Sequence, residues 1–586
     1  MAIRVLKEIP IELPAFSVPV STWAIIVCLI CILYLRALPQ PIPDIPYNKR
    51  SAHRLLGDIP EVAALQKAGE SPIKFWSNLA KIHHSPITQY FLPFSKPIVV
   101  ISDFREAQDL NLRRGKDLGR GWINSQTWNG VLPDHFIAME NFDARYKGTK
   151  TLVKDLMTPT FLHEINALES YNKVSAFMEL WKVKASIARS HSFDAYQDLG
   201  SLTFDIMMSA AFGTENEESE TFRHFNDVRA ASLSQTSISD IDTIFPFPKT
   251  ELDELHKILD KLVEAAGASF KTPSPWLFHK INNLTPSMLR AYSSRRNILR
   301  SFIDRSIQRL NREGKHFTRK SAVDFVVARE TAAAQSLDQQ PVFDSPQLLD
   351  ALFGYLVGGQ DSTHSTLMFM VKYLGREQET QAKLRAFLKN AYIEDHKMGK
   401  QPSMKNILTT KIPYLDAFIQ ELLRLANPSV AVAKETLCDM HILGYLVPKG
   451  TVLIFPISGL TMHEKGCKID ERLRSKTSQA HSSDGLGDWG DSEYPAYEFH
   501  PERWLRDAEN NGDFVFEPNA GPFLTFSTGT RTCWGKRLAY LELKLITTLL
   551  VWNFVFEPLP GGLDDDLKEY ELFTKPRTCY VKLNCT

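Results

Sequence analysis

One cysteine in the sequence has neighbours that could give it chemistry. Cys533 lies in residues 526–539, FSTGTRTCWGKRLA, where a glycine-rich loop gives way to leucines at helical spacing. The amides and dipole at a helix N-terminus favour a thiolate over a thiol. Gly529 and Gly535 permit close approach of the backbone to a bulky partner, and Arg531 adds a positive charge. A thiolate in such a loop suits one-point ligation of a flat anionic group such as haem.

Cys533 could instead be an inert buried cysteine or a zinc ligand. An isolated cysteine in a loop is most often buried and inert, and this is the ordinary expectation. A zinc site is excluded more firmly, because no second cysteine or histidine lies at ligand spacing around Cys533. The combination of loop residues is much more specific than any one of them, and it comprises Phe526, Gly529, Arg531, Cys533 and Gly535.

This combination resembles the haem-binding loop of the cytochrome P450 family, F-x-x-G-x-R-x-C-x-G, at every defining position. The resemblance implies that Cys533 is the axial ligand of the iron of haem b and that Arg531 binds a haem propionate. It also implies cofactor-binding positions at Phe526, Gly529 and Gly535. A thiolate ligand donates electron density to haem iron and favours cleavage of the O–O bond.

A second motif is Glu421-Leu-Leu-Arg424. Alone, two opposite charges three residues apart are a common solvated pair on a helix face, worth roughly 0.2–0.5 kcal/mol. The family has an E-x-x-R helix and a later F-x-P-x-R-W motif, which residues 499–504, FHPERW, resemble. The resemblance implies a buried network of Glu421, Arg424 and Arg503 that supports the cysteine loop. Such a network fixes geometry more than it adds stability.

A third match lies on a long helix predicted for residues 345–374. Small residues recur along one of its faces, where either a flat ligand or another helix could pack closely. The centre, residues 358–363, reads GGQDST. The family has an acid–alcohol pair here, and the resemblance implies that Asp361 and Ser362, with Thr363 nearby, deliver protons to bound dioxygen. Serine stands where the family usually has threonine, so the hydroxyl is kept and the restraining methyl is lost.

Further matches concern the haem propionates. Counting back from Pro159 in MTPTF, the family's usual tryptophan falls on Lys150 and its usual basic residue on Lys154. The tryptophan is therefore missing. Lys434 stands where the family usually has an arginine for a propionate, and lysine supplies a point charge without the bidentate fork. Lys154 and Lys434 are thus predicted cofactor contacts, with Arg531 the best supported.

The elements that must position these residues form one large domain. The length of 586 residues predicts about four domains at roughly 150 residues each. Helical patterns nevertheless dominate, strand signals cluster at 96–103 and 441–457, and no clean linker separates them. The resemblance implies a mainly α cytochrome P450 fold with a small β portion over residues 47–586. A Gly- and Ser-rich stretch at about 472–493 is predicted to be a flexible surface insertion.

The N-terminus is predicted to be a membrane anchor. Residues 13–35 carry no charge, and about 20 apolar residues span a bilayer as a helix. We therefore predict an anchor over 1–38, with the span at about 16–35, and a proline-rich connector over 39–46. A cleaved signal peptide is the alternative. Basic residues after the span place the bulk of the chain in the cytoplasm, and the resemblance to fungal microsomal members implies a single-pass protein of the endoplasmic reticulum.

The resemblance implies a monooxygenase that hydroxylates or epoxidises a lipophilic small molecule, in secondary metabolism. Electrons would come from NADPH only indirectly, through NADPH-cytochrome P450 reductase, with cytochrome b5 as a possible second donor. Equal numbers of basic and acidic residues, 68 each, argue against a nucleic-acid partner. A basic docking face for the reductase is predicted, with ordinary solvated charges as the alternative, from Lys147, Lys150, Lys154, Lys536 and Arg537.

Two other functions are compatible with a haem–thiolate site. One is an isomerase or a dehydratase of a peroxide substrate that does not activate dioxygen, against which the Asp361–Ser362 pair argues. The other is a non-catalytic, membrane-tethered haem sensor or carrier. The orientation of the domain relative to the membrane can be tested at Asn283-Leu-Thr285, which is a glycosylation sequon. A glycan there would contradict the cytosolic orientation.

Overall fold

The computed structural model describes residues 20–232, 243–481, 488–507 and 514–586. Within these ranges the chain is mainly helical, with a small β portion, as predicted. The helices are α1 Val20–Ala37, α2 Ile59–Lys67, α3 Pro72–His83, α4 Phe104–Leu112, α5 Trp122–Asn129, α6 Arg145–Leu152, α7 Ala167–Ala188, α8 Tyr196–Phe212, α9 Glu220–Ser232, α10 Glu254–Phe270, α11 Pro275–Asn282, α12 Pro286–Glu313, α13 Ala322–Ser336, α14 Pro346–Arg376, α15 Gln378–Ala391, α16 Ile393–Lys397, α17 Met404–Thr409, α18 Pro413–Ala426, α19 Lys476–Ala480 and α20 Lys536–Asn553.

The strands are short. They are β1 Ile87–Tyr90, β2 Ile98–Ile101, β3 Leu118–Gly119, β4 Phe193–Asp194, β5 Ala431–Thr436, β6 Met440–Ile442, β7 Tyr445–Val447, β8 Val452–Pro456, β9 Leu505–Asp507, β10 Phe514–Phe516, β11 Phe554–Phe556, β12 Lys568–Tyr570, β13 Thr574–Pro576, β14 Tyr580–Val581 and β15 Leu583–Cys585. The largest sheet has the order β1-β2-β8-β5-β3, in which β2 and β8 run parallel and the other pairs antiparallel. The remaining strands form two-stranded sheets.

The long helix α14 crosses the domain and organises its core. Its 31 residues span about 46 Å at 1.5 Å per residue. The side chain of Ser345 caps it by accepting a hydrogen bond from the amide of Leu348, and Pro346 occupies the first turn. It ends at Arg376, two residues beyond the predicted end. A Cβ added at Gly359 would clash with the side chain of Met207 on α8, so glycine allows these two helices to pack closely.

The apolar core is divided between helices and sheet. The largest buried cluster joins α7, α8, α14, α18 and α20, with contributions from α10, α12 and α13. A second cluster packs one face of the five-stranded sheet against α4 and the chain entering the domain. In that cluster Gln89 on β1 donates hydrogen bonds to the carbonyls of Ile42 (2.8 Å) and Ile45 (2.7 Å). The predicted proline-rich connector is therefore held against the sheet.

The predicted membrane span begins outside the described residues, since it starts at about residue 16. Its described part lies in α1, where the side chains of residues 21–36 are exposed. Among the helices that the structure describes, none combines the length and apolarity needed to cross a membrane.

Both described ends of the predicted insertion are attached to the domain. At the first end, Arg474 pairs with Asp103 at the start of α4, with Nη1–Oδ1 at 2.7 Å. The hydroxyls of Ser475 and Thr477 donate to Asp109 on the same helix. At the second end, Trp489 is buried. This tryptophan lies in the core beneath the segment that leads to β9, not on the surface.

Candidate active site

The loop that carries Cys533 is closed by its own backbone. A single helical turn, Gly529–Arg531, precedes the cysteine, and α20 begins three residues after it. The amide of Cys533 donates to the carbonyl of Phe526 at 2.8 Å, which folds the loop back on itself. Gly529 has φ +77°, and a Cβ there would clash with the backbone carbonyl of Asn111 at the end of α4. This position therefore requires glycine.

Cys533 is accessible to solvent, although protein atoms surround part of its thiol. The residue is exposed, and a Cβ at Gly535 would lie 4.0 Å from the sulfur. Burial raises the pKa of the thiol, whereas the amides of Gly535 and Lys536 and the Lys536 ammonium act in the opposite direction. Burial outweighs these contributions, so the net shift of the pKa of the Cys533 thiol is upward. A coordinating metal deprotonates a thiol outright, so ligation would set its ionisation.

Arg531 ties the cysteine loop to the chain between α5 and α6. Its Nη1 donates to the carbonyl of Phe136 at 3.1 Å, and its Nη2 to that of Met139 at 2.6 Å. Its Nε donates to the side chain of Asn141. The guanidinium lies 4.3 Å from the ring centroid of Tyr146 on α6. These contacts hold the positive charge in one place.

Two further cations face Arg531. Burial, followed by the charges of Arg120 and Arg531, lowers the pKa of Lys434 to about 7. Burial and then Arg531 lower the pKa of Arg120 to about 9. Glu140 opposes both effects, but it also accepts hydrogen bonds from the amides of Arg120 (2.8 Å) and Gly121 (3.1 Å). Arg120 Nε is buried without a hydrogen-bond partner among the described residues. Three cations around one carboxylate fit the two propionates of haem.

Arg120 was missed by reasoning from sequence, and strand pairing explains why. Gly119 on β3 lies opposite Glu435 on β5, which brings Arg120 beside Lys434. The two cations are 314 residues apart in sequence. Lys434 is the only one of the pair in a motif, so only knowledge of the β3–β5 pairing would have identified Arg120.

The α6 residue that contacts Arg531 differs from those predicted by counting back from Pro159. Tyr146 lies against Arg531, and the Lys150 ammonium is 5.8 Å from the centroid of the Tyr146 ring. Lys154 follows α6 in a single helical turn, with its side chain exposed. Lys150 is thus grouped with Tyr146 and Arg531, whereas Lys154 stays a predicted cofactor contact.

At the centre of α14 one side of the helix is open. Gly358 is exposed, and a Cβ there would meet no described atom within 4 Å. Ser362, one turn further, donates from Oγ to the carbonyl of Gly358 at 3.1 Å. Asp361 and Thr363 are buried on either side of it. Of the three predicted catalytic residues, Ser362 therefore shares the open face with Gly358. Gly354, in contrast, packs against His135.

The structure brings Glu421, Arg424 and Arg503 together. Arg424 binds both carboxylate oxygens of Glu421 at 2.8 Å, and Arg503 Nε lies 2.9 Å from Oε1. Trp504 Nε1 and the amide of His500 complete the hydrogen bonds of the carboxylate. Burial raises the pKa of Glu421, but the two arginines outweigh it, so the net shift is downward. The carboxylate stays ionised in a fully buried position.

The network connects to the cysteine loop. Thr525, directly before the loop, donates to the carbonyl of Leu423 at 3.0 Å on the helix that carries the network. The two arginines in turn lie over the ring of Trp489, with Arg503 at 5.2 Å and Arg424 at 5.8 Å. Trp489 is a site-supporting residue that its Gly- and Ser-rich surroundings concealed in the sequence.

The five residues of the predicted docking face lie at or near the surface. Lys147, Lys154, Lys536 and Arg537 are exposed, and Lys150 is partly exposed. Lys536 lies 5.8 Å from the ring of Phe526, which places one of these charges at the cysteine loop.

The sequence of the chain matches a known protein family over most of its length. The model of the family described as "Cytochrome P450" matches residues 55–465 and 494–583. The chain belongs to the cytochrome P450 family. The gap between the two matched ranges, 466–493, includes the predicted insertion.

Relatives in the P450 family extend over nearly the whole chain. "Cytochrome P450 monooxygenase TRI13" of Fusarium sporotrichioides is 32% identical over 94% of this chain and 96% of its own length. "Cytochrome P450 monooxygenase GME11363" of Pestalotiopsis microspora is 31% identical over 92% and 93%. Retinoic acid-bound cyanobacterial CYP120A1 has the same fold, with a TM-score of 0.60 and 19% identity over 94% of this chain and all of that chain.

The predictions of family, enzyme class and cofactor are confirmed. The chain is a cytochrome P450 monooxygenase, and the family uses a thiolate-ligated haem iron. P450 enzymes generally take electrons from a redox partner and bind small-molecule substrates.

Proposed function

We propose that this P450 hydroxylates or epoxidises a lipophilic small molecule in fungal secondary metabolism, with Cys533 as the iron ligand. NADPH-cytochrome P450 reductase would supply the electrons, with cytochrome b5 as an optional second donor. The observation that carries the proposal is the closed Cys533 loop, whose Arg531 lies close enough to Arg120 and Lys434 for its charge to lower the pKa of both. Fungal relatives named as P450 monooxygenases support the same class of reaction.

Each part of the site has a separate task. Haem supplies the activation of dioxygen when it is bound. The Cys533 sulfur would hold its iron, while Arg120, Lys434 and Arg531 would bind its propionates by charge. The buried Glu421 network keeps the cysteine loop from shifting, because a fully paired buried network fixes the geometry around it.

Ser362 and Asp361, on α14, would supply protons. Ser362 Oγ donates to the carbonyl of Gly358, so it must rotate away from that bond before it can donate toward the open space. Such a bond contributes about 0.5–1.5 kcal/mol, which is small enough to break in each cycle. Serine lacks the methyl that restrains threonine, so its hydroxyl is free to change partner.

The chain that follows Pro428 and the chain around Phe573 would contribute to the substrate pocket, and these two segments meet in the fold. The amide of Thr574 donates to the carbonyl of Pro428 at 2.7 Å, and Ser365 on α14 donates to the carbonyl of Thr574. Phe573 is half-buried beside this junction. The apolar character of these segments supports a lipophilic substrate.

We further propose that the chain is a single-pass protein of the endoplasmic reticulum with its catalytic domain in the cytosol. The charge-free run over 13–35 and the exposed side chains of α1 support the anchor. Asn283 bears on the orientation, because its Nδ2 already donates to the carbonyl of Gly130 at 2.8 Å and a glycan would have to be attached at this occupied nitrogen. Protease protection of microsomes is the test; a protected, glycosylated domain would contradict this topology.

The haem ligand is tested by the spectrum of the reduced, CO-bound protein. We expect the red-shifted Soret band of thiolate-ligated haem, lost in Cys533→Ala and retained in Cys467→Ala, a matched cysteine outside the loop. An imidazole-type band, or no bound haem, contradicts the site. Turnover that needs neither NADPH nor reductase would favour the isomerase or dehydratase alternative over monooxygenation.

A further inference from the structure

A basic cavity lies beside the end of α4, and none of its lining residues belongs to the proposed haem site. Its volume is about 520 Å³. Its walls come from the turn after α4, the β6–β7 hairpin and the start of the insertion, which the family model does not match. Six cations and one carboxylate line it: Arg113, Arg114, Lys116, Arg472, Arg474, Lys476 and Asp117. A cavity lined mainly by one sign of charge concentrates ions of the other sign, here anions.

Two of these arginines converge on one buried carboxylate, Glu106 on α4. Arg114 Nη1 lies 3.8 Å from Glu106 Oε1, and Arg474 Nη1 lies 3.8 Å from Glu106 Oε2. Both separations are too long for a direct hydrogen bond. Neither Glu106 oxygen accepts a hydrogen bond from the described residues, and Arg114 Nη1 is likewise buried without one. The protein therefore leaves part of the hydrogen-bonding capacity at this cavity unfilled.

The walls of the cavity are fixed by hydrogen bonds within the protein. Arg114 Nη2 donates to the carbonyl of His441 at 2.9 Å, which joins the turn after α4 to β6. The hydroxyls of Ser475 and Thr477 donate to Asp109 Oδ2 at 2.7 and 2.9 Å, which joins the insertion to α4. The cavity is therefore preformed, and a preformed site loses little conformational freedom when a ligand binds.

Some of the positive charge is already compensated within the protein. Arg113 and Arg472 each pair with an acidic residue, Asp109 and Asp470 respectively. Lys116 and Lys476 are exposed, and neither forms an ion pair with any residue that the structure describes. Because these two lysines outnumber the single lining carboxylate, net positive charge remains at the cavity.

We propose that this cavity binds a phosphate group, held by its two converging arginines, with the two lysines adding charge. Guanidinium groups bind phosphate through paired hydrogen bonds, and Arg114 has a donor that the protein leaves unfilled. A phosphorylated compound in solution and an anionic phospholipid headgroup carry this same group. The bound phosphate joins the insertion to the end of α4, where the carbonyl of Asn111 lies against Gly529 of the cysteine loop. The proposal is independent of the reaction at the haem site.

The test is a calorimetric titration of the full-length protein, in detergent and at low salt, with pyrophosphate. Arg114→Gln should weaken binding roughly tenfold or more, because hydrogen bonds between charged groups are strong. Lys476→Gln changes an exposed side chain and should weaken binding up to about fivefold. The matched control is Arg309→Gln, which removes an arginine paired with buried Asp324 outside the cavity. The control should bind pyrophosphate as the unmodified protein does.

A further variant should change the affinity in the opposite direction. Glu106 competes with the ligand for the two arginines, so Glu106→Gln should tighten pyrophosphate binding several-fold. Burial, followed by the charges of Asp103 and Asp109, raises the pKa of Glu106 to about 7, while Arg474 and Arg114 oppose this. The neutral side chain is therefore already tolerated near neutral pH, and the variant should fold. A carboxylate with a purely structural role would not raise the affinity when it is removed.

Nanodiscs separate the two sources of the phosphate group. The full-length protein is placed in phosphatidylcholine bilayers with and without phosphatidic acid, and each sample is titrated with pyrophosphate. If a lipid headgroup fills the site, phosphatidic acid should suppress the binding of pyrophosphate. If the ligand is a soluble phosphorylated compound, the two titrations should agree, and both should be weakened by Arg114→Gln.

Three results would overturn the phosphate site. The first is the absence of pyrophosphate binding by the unmodified protein in detergent. The second is equal affinity in the unmodified protein, Arg114→Gln and Lys476→Gln. The third is Arg114-dependent binding of a glutamate-rich peptide that pyrophosphate does not displace, which would assign the cavity to an acidic protein partner instead. None of these measurements depends on turnover, so the CO spectrum tests the proposed function separately.

Discussion

The two sides of the proposed haem site are built on different physical principles. The Cys533 side is held by backbone hydrogen bonds and by a buried carboxylate whose partners are all fixed. The α14 side has an open stretch at Gly358, a serine in a breakable hydrogen bond and the buried ion pair of Asp361 with Lys575. The first arrangement resists change, whereas the second leaves a hydroxyl that can exchange its hydrogen-bond partner. Binding a metal in one geometry needs the former, and proton supply needs the latter.

The largest effect is expected from breaking the rigid side at Glu421. Glu421→Gln removes the charge that compensates Arg424 and Arg503, and uncompensated buried charges cost about 3–5 kcal/mol. Urea unfolding followed by circular dichroism would show this loss. The control is Glu61→Gln, in a pair with Arg54 that is about one-third exposed, where about 0–1 kcal/mol is expected. Equal losses in the two variants would mean that the network is not essential to the fold.

Substitutions at two glycines, one on each side of the proposed haem site, test the same difference between the two sides. Gly529→Ala places a methyl against the carbonyl of Asn111 at φ +77°, so we expect a loss of about 1–3 kcal/mol. Gly358→Ala meets open space in a helix, where alanine is favoured by about 1 kcal/mol. The first variant should unfold earlier and the second later than the unmodified apoprotein in thermal scans. The same sign of change in both would contradict the contrast between the two sides.

The motifs predicted the Cys533 side of the site far better than the α14 side. The Cys533 loop and the Glu421–Arg424 pair are short stretches whose residues act on their immediate neighbours, so spacing in the sequence describes them. Lys575 reaches Asp361 from a segment more than 200 residues away, and an ion pair of this kind leaves no periodic pattern. The fold class followed from the family resemblance of the motifs, and the helical patterns agreed with it.

A smaller effect is expected at the three cations that would bind the propionates, Arg120, Lys434 and Arg531. Arg120→Gln removes one of three cations around the proposed propionates, and bonds to charged groups contribute about 1.5–3 kcal/mol. We expect haem to transfer to apomyoglobin roughly tenfold faster or more. Lys154→Gln tests whether Lys154 contacts haem. An unchanged rate of haem transfer agrees with the exposed position of Lys154, whereas faster transfer would support the contact predicted from the motif.

The smallest change in stability, and the most specific change in chemistry, is expected at Ser362. Its side chain borders open space and makes one bond to the helix backbone, so Ser362→Ala should alter unfolding by less than about 0.5 kcal/mol. Product per NADPH should nevertheless fall, because the hydroxyl on the open face is gone. Ser362→Thr should retain or raise it, since the added methyl restrains the rotamer. Thr363→Val is the control, and if it lowers the yield while Ser362→Ala does not, the proton-supplying hydroxyl belongs to the buried Thr363 and the open face of α14 has another role.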